Sequence, residues 1–309
     1  MSDLYQIIDP AFQKVMIGNA RMETLWSGGR WTEGPAYFAA GRYLIWSDIP
    51  NDRVMRWDEM NGHVAPLMQP ALNQNGHTVD HQGRLICCEH RGRAVTRIEH
   101  DGSRTILASH WQGKRFNSPN DVVVKSDGTI WFTDPSYGID SEYEGDKSPS
   151  EIGKSQVYRI DPNDTVEMMI DSLVQPNGLA FSPDESLLYV ADTGRTHDPS
   201  CTPKIVAYPI NADGKSVGKG KLLCESDAGL FDGFRVDTEG RIWSSAADGV
   251  HCFSPEGKLL GKILTGEVVA NLVFGGPKRN RLFICATTSV RAIYVNAQGC
   301  SYFPSAPTL

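Results

Sequence analysis

The feature that most constrains the fold is a short pattern that recurs six times along the chain. Each copy is an apolar run that follows a turn, at residues 41–46, 83–87, 128–132, 185–190, 240–243 and 280–284. The anchor residues of the copies, Ile45, Leu85, Ile130, Leu188, Ile242 and Leu282, are 40, 45, 58, 54 and 40 residues apart. This is the period of propeller blades of four short strands, whereas solenoid repeats are shorter and sandwiches need no sixfold repeat. The sequence therefore predicts an all-β fold, a six-bladed β-propeller.

Further alternating strands lie between the anchors. Residues 94–98 end at an Asp-Gly turn and residues 156–160 at an Asp-Pro turn, so each repeat holds more than one hairpin. We predict one domain over residues 1–309, in which a segment of about residues 1–25 leads into ring closure and the stretch 22–26 supplies the strand that completes the last blade. The polar stretch 139–155 is expected to be a surface loop, either a lid over one channel mouth or a passive insertion.

Composition excludes several classes of function. The chain of 309 residues has 30 Gly and 18 Pro, which suits many turns, and its net charge of −7 argues against binding to nucleic acid. Seven cysteines without C-x-x-C spacing are typical of reduced thiols, so we expect a cytoplasmic protein. The start has no export signal and no run of eighteen apolar residues is present, so we expect no membrane partner.

A polar residue recurs at one equivalent position ahead of each anchor strand. It heads a strand that is otherwise apolar, and the six positions are Glu33, Asn75, Asn120, Asn177, Asp232 and Asn271. The innermost strands of a propeller run along the central channel, so equivalent positions on six blades converge. We therefore expect these six side chains to meet at one level of the channel.

Two carboxylates and four amides brought together in this way need a compensating charge. Carboxylates in a confined site repel each other and lose hydration. All six groups offer oxygen and none is Cys or His, which suits a hard cation such as calcium or magnesium better than a structural zinc. The alternative is that each residue caps its own turn, as Asn and Asp often do before Gly. Six such residues in register favour a metal site in the central channel.

Four segments of the chain resemble a known family. They are Trp-Thr-Glu-Gly-Pro at 31–35, Asn-Ser-Pro-Asn-Asp at 117–121, Pro-Asn-Gly-Leu-Ala-Phe-Ser-Pro-Asp at 176–184 and Phe-Asp-Gly at 231–233. In this order they resemble the family of senescence-marker protein (regucalcin), gluconolactonases and luciferin-regenerating enzyme. The stretches 88–93 and 133–138 resemble bacterial gluconolactonase-type members in particular. The resemblance covers nearly the whole chain.

The resemblance implies a six-bladed propeller with one divalent metal ion in the channel, and calcium- or zinc-dependent lactonase activity. It implies that Glu33, Asn177 and Asp232 are metal ligands. Asn120 is a fourth ligand in relatives such as the phosphofluoridate hydrolases and contacts substrate in others, and we include it in the metal set. Calcium is the cation we expect first, with zinc, magnesium and manganese as alternatives.

The chemistry expected of such a site is hydrolysis of a sugar lactone to the aldonic acid. A metal ion polarises the carbonyl and activates water. Asp232 is the candidate catalytic base, with the alternative that it only orients water, because metal coordination weakens a carboxylate as a base. Sugar hydroxyls are expected to contact a set of channel residues, Asn75, Glu89, His90, Asn117 and Tyr137. For His90, a hydrogen-bonded channel wall is an equal alternative.

Two other functions remain open on the same residues. One is a hydrolase of phosphotriesters that uses the same metal site. The other is a non-catalytic propeller that binds calcium or another ligand. The acids at the head of the channel favour an enzyme with a small-molecule sugar lactone as its partner, and we expect a monomer or a homodimer.

Overall fold

The six repeats form the six blades of a β-propeller, as predicted. The computed structural model describes residues 4–301. Two strands, β1 (Tyr5–Ile7) and β2 (Glu23–Ser27), precede the first blade. The strands of the first three blades and of a small hairpin between the second and third are β3 (Thr32–Phe38), β4 (Tyr43–Asp48), β5 (Arg53–Asp58), β6 (Val64–Met68), β7 (Gln74–Val79), β8 (Leu85–Glu89), β9 (Ala94–Ile98), β10 (Arg104–Ala108), β11 (His110–Trp111), β12 (Lys114–Arg115), β13 (Val122–Val124), β14 (Ile130–Asp134), β15 (Gln156–Ile160) and β16 (Val166–Ile170).

The last three blades follow the same order. Their strands are β17 (Pro176–Phe181), β18 (Leu187–Asp192), β19 (Lys204–Pro209), β20 (Lys221–Glu225), β21 (Phe234–Val236), β22 (Ile242–Ser245), β23 (Gly249–Phe253), β24 (Leu259–Leu264), β25 (Val269–Gly275), β26 (Arg281–Ala286) and β27 (Ser289–Tyr294). Every predicted anchor residue lies in the second strand of its blade. The helical elements within residues 4–301 are short: α1 (Tyr137–Asp140) and three 3-10 turns, Pro10–Lys14, Ile49–Asn51 and Gly194–Thr196.

The ring is closed by the N-terminal segment. β2 pairs antiparallel with β27 and supplies the fourth strand of the sixth blade, at the stretch where the sequence predicts it. β1 pairs with β24 and adds a fifth strand to the fifth blade. The ends of the predicted domain, residues 1–3 and 302–309, lie outside the described residues, and the single-domain assignment stays a prediction.

The hydrophobic core lies between neighbouring blades. Between the third and fourth blades, Trp131 contacts Phe181 edge-on, with ring centroids 5.6 Å apart. Between the second and third blades, Val95 and Tyr158 belong to one buried cluster. Each fully buried large side chain contributes about 1.5–3 kcal/mol relative to exposure. The inner strands are therefore held rigidly against the channel.

Candidate active site

The recurring polar residues lie at the start of the innermost strands. Glu33, Asn75, Asn177 and Asn271 lie within β3, β7, β17 and β25, and Asn120 and Asp232 lie just before β13 and β21. In β3, β7, β17 and β25 the pairing register shifts at or beside the polar residue. A bulge of this kind breaks the alternation of side chains and re-aims one of them. It explains how a polar residue in an otherwise apolar strand points into the channel.

Glycines that follow the polar residues bring neighbouring blades into backbone contact. Gly76 donates its N–H to the carbonyl of Asn120 at 2.7 Å, and Gly178 donates to the carbonyl of Asp232 at 3.1 Å. A Cβ on Gly178 would lie 2.2 Å from that carbonyl oxygen, which leaves room only for hydrogen. The Asn-Gly and Asp-Gly pairs therefore serve contact between blades and not only local turns.

Side chains at the ends of the second strands fix the segments that enter the channel. Asp134 accepts hydrogen bonds from the N–H groups of Asn117 at 2.9 Å and Ser118 at 2.8 Å. Ser245 plays the same part in the fifth blade, where its hydroxyl accepts the N–H of Asp232 at 2.9 Å. Burial raises the pKa of Asp134 to about 7, although both N–H donors favour its ionised form. These bonds set the position of the backbone at the candidate site.

Six of the predicted site residues line one cavity of about 380 Å³ at this end of the channel. They are Glu33, Asn75, Asn120, Tyr137, Asn177 and Asp232. The other residues that line the cavity were not predicted from the sequence. These are Trp31, Glu144, Thr193, Thr196, Gly229, Leu230, Ala247, Val268 and Val269. The structure thus brings together all four predicted metal ligands and two of the predicted substrate contacts.

The two carboxyl groups at the head of the cavity perturb each other. Glu33 is buried and accepts hydrogen bonds from its neighbouring Gly34 N–H and from Asn271 Nδ2, the latter at 2.9 Å. Burial, then the charges of Asp232 and Asp121, raise the pKa of Glu33 well above its ordinary value. Burial, then the charges of Glu144 and Asp121, raise the pKa of Asp232 in the same direction, against hydrogen bonds with Asn177 and Glu33.

A third channel carboxylate, Asp121, is already compensated. It is buried, and Arg235 Nη1 lies 3.5 Å from its Oδ2. Burial raises the pKa of Asp121, and the guanidinium of Arg235 opposes that shift. The sequence offered no signal for this pair, whose members are 114 residues apart. By contrast, the described interactions give neither Glu33 nor Asp232 a cationic side chain as a partner.

The oxygen-bearing side chains that line this cavity are of the types that bind a hard divalent cation. Asn75 Oδ1 is buried and has no hydrogen-bond partner among the described residues. It belongs to the same cavity as the carboxyl groups of Glu33 and Asp232 and two further amides, and the oxygen atoms of this set suit a hard cation. Within residues 4–301 no cluster of three or more His, Cys, Asp or Glu side chains is arranged to hold a metal. Amide oxygens would therefore have to complete the shell around the two carboxylates.

His90 lies behind the amides and not on the cavity wall. It is fully buried, with Nε2 at 3.1 Å from Asn75 Nδ2 and at 3.5 Å from Asn120 Nδ2. Its Nδ1 lies 3.2 Å from the carbonyl oxygen of Glu144. Burial lowers the pKa of His90 to about 4, so the ring is neutral near pH 7. Of the two alternatives for this residue, these contacts favour a hydrogen-bonded structural role over direct contact with substrate.

Glu89 and Asn117 are engaged elsewhere and do not line the cavity. Glu89 accepts hydrogen bonds from Thr96 at 2.8 Å and from Arg104 at 2.7 and 2.5 Å, which makes it part of an ion pair inside the second blade. Asn117 donates to the carbonyl of Lys154 at 2.8 Å and accepts from a serine of the same loop at 2.5 Å. Asn117 thus holds the base of the loop 139–155.

The loop 139–155 reaches the cavity, as the lid alternative requires. Glu144 lines the cavity from this loop, and burial with the charge of Asp140 raises its pKa to about 7. Tyr137 lies in α1 at the start of the loop, and its hydroxyl is 3.0 Å from Thr196 Oγ1 on the next blade. Burial raises the pKa of Tyr137, so it remains a neutral hydroxyl. The loop and the turn Gly194–Thr196 together border the cavity.

Comparisons with known proteins agree with this architecture. Residues 31–288 match the model of the SMP-30/Gluconolactonase/LRE-like region. The chain is 30% identical over 303 residues to a gluconolactonase of Zymomonas mobilis, covering 91% of this chain and 83% of that protein. It is 28% identical over 262 residues to the pentonolactonase XacC of Haloferax volcanii, covering 82% and 80%. The solved structure of a gluconolactonase from Xanthomonas campestris superposes with a TM-score of 0.88 at 38% identity, covering 95% of both chains. No helix in the described part of the chain has the length and apolarity needed to cross a bilayer.

Proposed function

Because the chain belongs to the SMP-30/gluconolactonase/LRE-like family, we propose that it is a lactone hydrolase that converts a sugar lactone to the aldonic acid. Its relatives include a gluconolactonase and a pentonolactonase, so a five- or six-carbon aldonolactone is the substrate class. The observation that carries the proposal is the convergence of Glu33, Asp232 and three amides at the head of one cavity. At about 380 Å³ this cavity falls in the range of small-molecule sites.

We propose that Glu33, Asn120, Asn177 and Asp232 hold one divalent cation, with calcium first among calcium, zinc, magnesium and manganese. Two carboxylates in one buried site are costly without a cation, as the raised pKa values of Glu33 and Asp232 indicate. When bound, the cation would polarise the lactone carbonyl and acidify a water molecule.

Asp232 is the group we assign to proton transfer. It is partly exposed to the cavity, whereas Glu33 is 2% exposed and is bonded to Asn271. In the proposed step, the water oxygen attacks the lactone carbonyl carbon while an Asp232 carboxylate oxygen takes the water proton. The bond from that carbon to the ring oxygen then breaks, and the proton passes to the leaving alkoxide, giving the open hydroxy acid. In the alternative role, Asp232 accepts a hydrogen bond that orients the water and takes no proton.

The walls of the cavity suit the two surfaces of a sugar. Trp31, Tyr137 and Leu230 offer apolar and aromatic area for the carbon-bound hydrogens. Glu144 and Thr193 offer hydrogen-bond groups for hydroxyls. The loop 139–155, which carries Glu144, would limit the access of bulk water to the reacting carbon.

A lactone panel tests the proposal. Purified protein is stripped with a chelator, checked by elemental analysis, and assayed with five- and six-carbon aldonolactones by acid release, with and without each cation. We expect hydrolysis of at least one aldonolactone only when a cation is present. A phosphotriester in the same panel tests the alternative hydrolase. Calcium binding without turnover of any ester would instead support a non-catalytic propeller.

A further inference from the structure

The contacts of His90 connect two parts of the site that are distant in sequence. Nε2 faces the side-chain amides of Asn75 and Asn120, on the inner strand segments of the second and third blades. Nδ1 faces the main-chain carbonyl of Glu144 in the loop 139–155. One buried ring thus contacts both amides and the loop, although it does not line the cavity itself.

The carbonyl of Glu144 decides which nitrogen of the ring carries the proton. A carbonyl oxygen only accepts hydrogen bonds, so Nδ1 must donate to it. In the neutral ring Nε2 is then an acceptor, and the groups that face it must be donors. Each amide can satisfy this only by turning its NH2 group toward His90 and its oxygen away.

The orientation of the amides matters because only their oxygens can bind a hard cation. With the NH2 group of Asn75 turned to His90, its Oδ1 is left buried and without a partner, in a residue that lines the cavity. An amide that turned the other way would place NH2 donors beside the cation and lose the hydrogen bond to Nε2.

The neighbours of His90 tie the same segment to the loop. Arg91 Nε lies 3.0 Å from Asp146 Oδ1, and Arg93 Nη1 lies 3.5 Å from Ser148 Oγ. Three residues within 90–93 therefore contact three positions of the loop. A change in the orientation of the His90 ring would be transmitted to the loop through Glu144.

We propose that His90 is a positioning residue: it turns the oxygen of the ligand Asn120 toward the cation site and that of Asn75 toward the cavity beside it, and it couples occupation of that site to order in the loop 139–155. This rests on the proposed cation site. Partners that orient the ligands of a metal typically change metal affinity by about 10–100-fold when removed.

The test uses calcium binding and proteolysis of the full chain. His90→Phe keeps an aromatic ring but removes both hydrogen-bonding nitrogens, whereas His90→Gln keeps one acceptor and one donor. Calorimetry on chelator-stripped protein is expected to show a Kd for calcium raised about 10–100-fold in His90→Phe and largely restored in His90→Gln. Tryptic cleavage after the exposed Lys147 reports on the loop, and calcium is expected to slow it in the parent and His90→Gln but not in His90→Phe.

A matched control is His251→Phe, which removes a fully buried imidazole that does not line the cavity. It is expected to bind calcium like the parent, whatever its Tm. Equal calcium affinity and equal protection of Lys147 in His90→Phe and the parent would overturn the proposal. If His90→Phe does not fold, the parent protein alone still tests the coupling between the cation site and the loop. If bound calcium does not change the rate of cleavage after Lys147 in the parent, the coupling is overturned. A parent that binds no divalent cation refutes the cation site itself.

Discussion

Gly178 offers a test of how the blades position the site. It contacts neither substrate nor cation in the proposed mechanism, but it lies against the backbone that carries Asp232. A Cβ added at Gly178 would stand 2.2 Å from the carbonyl oxygen of Asp232 and 2.8 Å from Gly233 Cα. These neighbours are main-chain atoms and cannot rotate away. Gly178→Ala must therefore push the fifth blade outward or break the hydrogen bond from Gly178 N to Asp232 O.

The size of the effect follows from these contacts. Ordinary carbon–oxygen and carbon–carbon contacts need more than 3 Å, so one of the two backbones has to move by about 1 Å. Overpacking of this kind costs about 1–3 kcal/mol. For a chain of 309 residues, an unfolding entropy of about 2.1 cal/mol/K per residue gives an expected fall in Tm of about 1.5 °C per kcal/mol. Because the shift falls on the segment that carries Asp232, calcium affinity should also fall, by about tenfold or more.

Gly18→Ala is the matched control. Gly18 has no heavy atom within 4 Å of an added Cβ and does not lie in the left-handed region. Substitution there should leave Tm unchanged or raise it slightly, since Gly→Ala at a compatible position stabilises by about 0.4–1 kcal/mol. Thermal unfolding of both variants in chelator, followed by calcium titration and lactone hydrolysis, separates stability from site geometry. If Gly178→Ala matched Gly18→Ala in Tm, calcium Kd and turnover, the inferred role of the inter-blade contact would be refuted.

Three further outcomes are expected. Chelation should abolish lactone hydrolysis. Adding back calcium, magnesium, zinc or manganese should restore the activity to different extents. Full activity after verified metal removal would contradict the cation site. Asp232→Asn should lower kcat by about 10²–10⁴-fold. It should not lower Tm in chelator, because burial and neighbouring acids already oppose the ionisation of Asp232. Turnover close to that of the parent would exclude a role for Asp232 as a base. Burial raises the pKa of Glu144 to about 7, so the folded state favours the protonated carboxyl group. The stability that this group contributes is fully present below its ordinary pKa and is lost as the pH rises through about 7. In chelator, Glu144→Gln should therefore match the parent in Tm at pH 4, below the ordinary pKa of a glutamic acid, and exceed it at pH 8. A difference in Tm that is independent of pH would contradict this.

The blades were predictable from sequence because their determinants are local. Apolar alternation and the turns before it mark the second strand of each blade, and the repeat number then implies which positions converge. Glu33 and Asp232 are 199 residues apart in the chain, yet their equivalent places in two repeats were sufficient to predict one cavity. The closing strand was predictable for a related reason, since a ring of blades leaves one sheet to be completed.

The loops and the partners of single side chains were not predictable in this way. Glu144 reaches the cavity from an insertion that only one repeat has, so no equivalence between blades locates it. Glu89 is adjacent in sequence to the predicted site residue His90, but its carboxylate accepts hydrogen bonds from Arg104, which lies fifteen residues later on the fourth strand of the blade. Hydrogen-bond competition between side chains from different strands leaves no periodic signal in the sequence.

The pairing of β1 with β24 and of β2 with β27 has a consequence for synthesis in the cell. Both early strands are synthesised before the first blade, and their partners belong to the fifth and sixth blades, which are synthesised after the other four. Between the end of β2 at Ser27 and the end of β27 at Tyr294 lie 267 residues, which take roughly 13–53 s to translate at about 5–20 residues per second. During that interval the first blades can fold one upon another, but β2 has an unsatisfied edge and the nascent ring stays open. Strand edges of this kind recruit other chains, so chaperone capture of nascent protein should depend on the segment 23–27.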